Sequence, residues 1–173
     1  MDDASLTEVA VVGCEGIVGV ALFMGGETSL SQARVESAGH AYRMQGKLLR
    51  KEFHRGGALQ RLLLLYTQAL GAEMAQTLAC SRKHSLNQQF CRWLLLRFDR
   101  LTVNDLAMSQ ETIARLLGVR RSGISEVASK LQNLGLIEYD RAHISLLDRP
   151  GLEAQSCECY AAIKDEFSRL LSK

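Results

Sequence analysis

The stretch from which the fold can be read is Met108-Ser109-Gln110-Glu111-Thr112-Ile113-Ala114-Arg115-Leu116-Leu117-Gly118-Val119-Arg120-Arg121-Ser122-Gly123-Ile124-Ser125. Ser109 is placed to cap a helix, with Glu111 in the first turn against the positive end of the helix dipole. Ile113, Leu116 and Leu117 form a buried side, and Ala114 is small where a following helix must cross closely. Gly118 stands where a tight turn between two helices requires a left-handed backbone. Val119 then plugs the core, and Ile124, Val127, Ala128 and Leu131 give the next helix its inward face. Arg120, Arg121, Ser122, Ser125, Glu126 and Ser129 are left facing outward near that helix's start. Arginines there suit a guanine edge in the major groove, while hydroxyls and N-terminal amides suit phosphates. The pattern predicts a DNA-reading helix-turn-helix. Gly123 is its one local cost, up to about 1 kcal/mol relative to Ala in a helix; either the helix start flexes to fit DNA or neighbouring packing compensates.

Downstream, Leu136-Ile137-Glu138-Tyr139 and His143-Ile144-Ser145-Leu146 flank Asp140-Arg141-Ala142 and read as two short strands of a hairpin wing. Upstream, Ser85 can cap a helix with Gln88 at the capping-box position, and Phe90, Trp93, Leu94, Phe98 and Leu101 mark its buried side. Before that, Leu59, Leu63, Tyr66, Leu70, Met74 and Leu78 recur at three- and four-residue steps, with Leu62, Leu64, Leu65 and Ala69 on other faces. A long helix apolar on two sides packs against its own domain and, at a second seam, against a symmetry mate. Those six stripe positions are the expected dimerisation residues. The first part of the chain, with Glu8-Val9-Ala10-Val11-Val12-Gly13 and Gly16-Ile17-Val18-Gly19-Val20-Ala21-Leu22-Phe23, reads as short glycine-broken strands. The expected fold is α+β: a partial antiparallel β-roll over 1–56, a dimerisation helix over 57–84, and a winged helix-turn-helix with a helical tail over 85–173.

The net charge of +2 does not by itself point to nucleic acid. The distribution matters more, with Arg82-Lys83, Arg120-Arg121 and Lys130 as local basic clusters. There is no apolar run long enough to cross a membrane and no secretory pattern at the first residues, so a cytoplasmic protein is expected. Five cysteines, Cys14, Cys80, Cys91, Cys157 and Cys159, form an odd set for which reduced thiols are the default. Cys157-Glu158-Cys159 lacks a second pair at zinc-finger spacing, and His40, His54, His84 and His143 are scattered. No metal ligands, cofactor or catalytic residues are therefore assigned, and enzymatic activity is not expected. A redox- or metal-responsive sensor built on the cysteines stands as the alternative function.

Taken together, these residues resemble the Crp/Fnr family of bacterial transcription regulators over nearly the whole chain. Gly16 to Gly26 resembles the late part of the family's cyclic-nucleotide-binding-like β-roll, Gly57 to Ser81 its dimerisation helix, and Gln110 to Leu146 its winged helix. Gly118-Val119-Arg120-Arg121 followed by Gly135-Leu136-Ile137 is the most specific part. The resemblance implies a homodimer on a pseudo-palindromic DNA duplex, with RNA polymerase and an unidentified small-molecule effector as further partners. The DNA contacts it implies, together with the outward-facing residues, are Ser109, Gln110, Arg120, Arg121, Ser122, Ser125, Glu126, Ser129, Lys130, Arg141 and His143. Arg121 matches the family's guanine-reading arginine. Ser122 stands where an acidic residue often reads cytosine, and Glu126 where a second arginine often lies. The early strands of the roll have no counterpart here. The family's phosphate cassette, a Gly-Glu followed by Arg-Ser/Thr, is replaced by Gly19-Val20 and by Ser29-Leu30-Ser31-Gln32, so cyclic nucleotide binding is not expected.

Overall fold

The computed structural model describes residues 7–26 and 28–172. A short 3-10 turn, Val20–Leu22, precedes α1 (Gly46–His54), α2 (Ala58–Lys83) and α3 (Leu86–Phe98). Then follow β1 (Asp105–Ala107), α4 (Gln110–Leu117), α5 (Arg121–Asn133), β2 (Ile137–Asp140), β3 (His143–Leu146), α6 (Arg149–Gln155) and α7 (Glu158–Leu171). The three strands form one antiparallel sheet in the order β1-β3-β2, with Leu106 opposite Ile144 and Tyr139 opposite Ile144 on the other side.

The main core is assembled around α3, on which every residue from Phe90 to Phe98 is buried. Ile113 and Ala114 of α4, Ile124, Ala128 and Leu131 of α5, Ile137 and Ile144 of the sheet, Leu152 of α6 and Ile163 of α7 close over it. Helix starts are set locally. Ser85 and Gln88 form a reciprocal capping box, with the Gln88 amide donating to Ser85 Oγ and the Ser85 amide to Gln88 Oε1. Asp148 caps α6, accepting from the Gly151 amide, with Pro150 in the first turn where its missing N–H costs nothing. α7 returns along α2, and Tyr160 ties it to the end of α3 by donating to Asp99, which also pairs with Arg149.

The α+β class is found, with β2 and β3 on the two segments expected for the wing, but the strands expected in the first part of the chain are not. Among the described residues no strand forms before Asp105, so the partial antiparallel β-roll over 1–56 is corrected. A strand needs a neighbour to satisfy its backbone groups, and among the described residues no strand lies beside these segments. Residues 28–45 lie exposed without regular structure, and the segment ends in helix α1. Phe23, Leu49 and Leu63 form a small separate cluster, with Phe53 stacked on Phe23.

Residues 8–15 dock instead on α2, α3 and α4 through polar contacts. The Glu8 amide donates to the Leu116 carbonyl, the Val11 amide to Glu73, and Glu15 pairs with Arg100. Arg97, buried against the face of Trp93, pairs with Glu8 and Glu36. Arg100 pairs with Glu73, whose side chain is buried on α2. Burial pushes the Glu8 and Glu73 carboxyls above the ordinary carboxylate range, outweighing the pull of Arg97 and Arg100 respectively.

A carboxyl raised by folding contributes stability that is full below its unfolded pKa, about 4.3, and is lost as pH rises through its folded value. In Glu73→Gln the side chain stays neutral at every pH. The wild type should therefore lose stability relative to that variant as pH is raised from about 4 to about 7. Urea denaturation of both proteins across that range checks the sign; a difference that is flat or runs the other way refutes it.

Candidate nucleic-acid interface

α4 and α5 form the helix-turn-helix. Ser109 caps α4, its Oγ accepting from the Thr112 amide at 3.2 Å. The turn passes through Gly118 at φ 68° and ψ 33°, a left-handed conformation that a Cβ would penalise. Val119 donates back to the Ala114 carbonyl at 2.9 Å and half-buries its side chain against the core. Ile124, Val127, Ala128 and Leu131 then point inward, so the opposite face of α5 is free: Arg120, Arg121, Ser122, Glu126, Ser129 and Lys130 are all exposed. Arg120 is the N-cap residue and no side chain caps the start of α5. An uncapped first turn flanked by two arginines concentrates positive potential at one point, which suits a phosphate or the electronegative edge of guanine.

Two of the predicted contacts, Ser125 and Gln110, are engaged with each other. Ser125 is half-buried and its hydroxyl donates to Gln110 Oε1, which locks α5 to the start of α4. Gly123 is explained by proximity: a methyl of Leu86, at the start of α3, lies 2.8 Å from where a Cβ would sit. Packing between the starts of α3 and α5 is thus closer than an Ala would permit without movement.

β2 and β3 form the wing. Asp140 pairs with His143, leaving Arg141 and Ala142 as a two-residue turn. Both have positive φ, 45° and 69°, the pattern of a type I′ turn normally filled by Asn and Gly. The Arg141 side chain is 91% exposed at the tip. His143 reaches Asp105 of β1 at 3.0 Å, and hydrogen bonds from His143 and Ser145 hold the Asp105 carboxyl below its ordinary range. Tyr139 donates to the Met108 carbonyl at 2.8 Å, tying the wing to the residue before α4. Burial raises the Tyr139 phenol to about 12, against the lowering field of the Arg121 guanidinium.

Residues 88–155 match the family model of the Crp-like helix-turn-helix domain. This part of the chain is a Crp-like helix-turn-helix domain. Among solved structures, FixK2 from Bradyrhizobium japonicum is similar with a TM-score of 0.59 at 20% identity, over 66% of this chain and 60% of its own. A protein of the Crp/Fnr family of transcriptional regulators from Eubacterium rectale is similar with a TM-score of 0.49 at 21% identity, over 64% of this chain and 51% of its own. A CRP-family transcriptional regulator from Thermus thermophilus has a TM-score of 0.48 at 24% identity, over 61% and 54%. The chain thus spans between about half and 60% of the length of these proteins, and the likeness to FixK2 is one of fold. No curated protein matches the chain.

The Crp-like domain takes in α3 through α6, leaving α2 and α7 outside the matched residues. On α2, the predicted dimerisation stripe is divided. Leu63 and Tyr66 are buried within the chain, Leu70 is half-buried, and Leu59, Met74 and Leu78 are exposed. The set that stays exposed at heptad steps shares only Leu78 with that stripe: Leu64, Gln68, Gly71, Ala75, Leu78 and Arg82. Sequence reasoning missed that set because leucines crowd every side of this helix, so periodicity alone does not say which side the chain covers itself.

It caught a second constellation only in part: the cysteines stand as an alternative sensor, but His84 reads as scattered and no ligands are assigned. Cys80, His84, Cys157 and Cys159 come together between α2 and α7, their sulfur and nitrogen donors all within 4.8 Å of one another. The available signal was the i, i+4 spacing of Cys80 and His84 on one helix, beside a Cys-x-Cys; neither half is diagnostic alone.

The turn strain at the wing has a measurable consequence. Replacing Arg141 and Ala142 together by Asn and Gly relieves two unfavourable left-handed residues and should raise stability by about 1–2 kcal/mol. Thermal denaturation of the double variant checks it, and a lower melting temperature contradicts the turn assignment.

Proposed function

We propose that the chain is a sequence-specific DNA-binding transcription regulator, acting as a homodimer on a pseudo-palindromic duplex in the cytoplasm. The observation that carries this is the basic, uncapped start of α5 beside the wing, on a domain that matches the Crp-like helix-turn-helix. In this reading α5 enters the major groove and Arg121 makes a bidentate contact to guanine. Arg120, Lys130 and the wing-tip Arg141 hold phosphates, and Ser109 and the α4 start approach the backbone. Ser122, Glu126 and Ser129 face the bases from the exposed side of α5, and His143 and Asp105 stiffen the wing base. Ser125 and Gln110 set the angle between α4 and α5 rather than spending their hydrogen bonds on DNA.

The partner seam runs along Leu64, Gly71, Ala75 and Leu78. These are exposed at steps of seven, four and three residues, which is the repeat of a coiled-coil contact. Gly71 has open space around it, so a second helix can approach closely there. Met74 flanks the same seam, whereas Leu63, Tyr66 and Leu70 hold α2 to its own chain, with Leu59 on their side of the helix.

Selection from a pool of random duplexes, followed by sequencing, tests the reading. A two-fold-symmetric motif with half-sites one helical turn apart, about 34–36 Å, is expected. Enrichment of no motif, with binding that fades uniformly as salt rises, defeats it. Arg121→Ala should weaken binding to the selected site by about 1–3 kcal/mol and relax one base position. Arg141→Ala should lower the salt slope by about one without changing base preference. Lys51→Ala, on the exposed side of α1, serves as the control that leaves binding unchanged.

The seam makes its own prediction. Leu78→Glu, or Ala75→Glu, places a charge at the contact without disturbing the buried side of α2. Sedimentation should show a monomer where the parent is a dimer, with helical circular dichroism retained. A parent that sediments as a monomer at all accessible concentrations rules the seam out.

A further inference from the structure

The four-donor cluster between α2 and α7 is built from both ends of two helices. Cys80 lies in the last turn of α2 and His84 is its C-cap residue; Cys157 is the N-cap residue of α7 and Cys159 lies in its first turn. The cluster is enclosed, with Cys80 and Cys159 at most 1% exposed and Cys157 at 7%. Cys80 Sγ and Cys157 Sγ are 3.5 Å apart, and Cys159 Sγ and His84 Nδ1 are 3.4 Å apart. A tetrahedral zinc with thiolates at about 2.3 Å and imidazole at about 2.0 Å has ligand–ligand edges of about 3.5–3.8 Å. The donors therefore already stand close to the corners of such a site.

Their surroundings also suit an ion. His84 turns Nδ1 to the cluster and Nε2 to Glu158, 3.2 Å away, which is the carboxylate–imidazole–metal relay that fixes the ring and its tautomer. Gln76 Nε2 donates to Cys159 Sγ at 3.2 Å, a contact that strengthens when the sulfur is a thiolate. The positive end of the α7 dipole faces the thiolates and the negative end of the α2 dipole faces the cation. The field of Arg92, one of the charges acting on Cys80, offsets the net negative charge of three thiolates and one imidazole around a divalent ion.

We propose that Cys80, His84, Cys157 and Cys159 form a closed, four-coordinate site for a zinc-class divalent cation that staples the end of α2 to the start of α7. Three thiolates select a soft or borderline ion over magnesium or calcium, and four protein ligands leave no open position for catalysis. Binding converts three thiols to thiolates and releases three protons, while His84 ligates as the neutral imidazole. The geometric consequence is specific: His84 and Ser85 are the junction between α2 and the Crp-like domain, so the ion fixes the joint on which that domain is carried. The site stands on its own geometry, and its test contains no DNA.

The experiment uses the full chain, reduced and stripped of metal, titrated with Co(II) alone and then displaced by Zn(II). One equivalent of Co(II) should produce the intense visible bands of tetrahedral cobalt together with a thiolate charge-transfer band, and Zn(II) should abolish both. Zn(II) should also protect Cys80, Cys157 and Cys159, and not the exposed Cys14, from alkylation read by mass spectrometry. Cys157→Ser and Cys159→Ser should lose the charge-transfer intensity, Cys14→Ser should keep it, and Glu158→Gln should weaken Zn(II) binding about tenfold, the lower end for an outer ligand. The proposal fails if the parent gives only the weak spectrum of water-coordinated cobalt. It also fails if Zn(II) leaves the three cysteines as reactive as before, or if they are recovered as a Cys80–Cys157 disulfide instead of a metal complex. All three readouts on the parent protein stand even where a cysteine variant does not fold.

Discussion

Burial of α3 on every side is the constraint from which the rest of the molecule is arranged. Phe90, Leu94 and Leu95 are removed from water completely, each worth about 1.5–3 kcal/mol relative to an exposed side chain. A helix covered all round needs walls in every direction, and α5, α6, α7, α2 and β1 each supply one. The same helix carries Arg92 and Arg97 into the interior, where an unpaired charge would cost several kcal/mol. Trp93 and Glu8 answer for Arg97, and Thr77 takes a hydrogen bond from Arg92. Thus the segment before α1 is held on the molecule by charges that α3 brings inside, and not by a sheet of its own.

The helix-turn-helix is rigid where it meets the core and strained where it meets solvent. Gly118 makes the turn at no steric cost, the Ser125–Gln110 hydrogen bond sets the crossing of α4 and α5, and Tyr139 secures the wing to Met108. At the wing tip, by contrast, Arg141 and Ala142 occupy left-handed positions that glycine or asparagine would fill more cheaply. Stability is given up there for a cation at the outermost point of the hairpin, the kind of exchange seen where a side chain has a task outside the fold.

α2 links these parts because its sides have different uses. One side takes Leu63 and Tyr66 against the chain's first segment, and another receives α7. A third is lined at heptad spacing by Leu64, Gly71, Ala75 and Leu78, all exposed among the described residues. The cysteine–histidine cluster sits where the second of these sides ends, at the joint into the Crp-like domain. If the proposed partner seam and the proposed ion both act on this joint, a change at either can reach the orientation of the Crp-like domain.

What the sequence by itself determined was local. The caps at Ser85 and Ser109, the left-handed turn at Gly118, the inward stripe of α5, the hairpin on either side of Arg141 and the length of α2 all depend on residues within a few positions of one another. Their signals survive in one dimension for that reason. So did the exposed arginines of α5, because a helix with one face buried must show the other. The tertiary structure decided what depends on distant partners. The glycine-broken stretches near the start have strand composition, yet among the described residues no strand pairs with them, and they lie as an irregular segment bound by hydrogen bonds and ion pairs to α2, α3 and the residues after it. Which leucines of α2 are covered depended on where that segment and α7 came to lie. Cys80 and His84 met Cys157 and Cys159 only because α7 folds back along α2, bringing together residues more than seventy positions apart. Short-range propensity carries no information about such a meeting; it is set by which helix faces the core can bury at once.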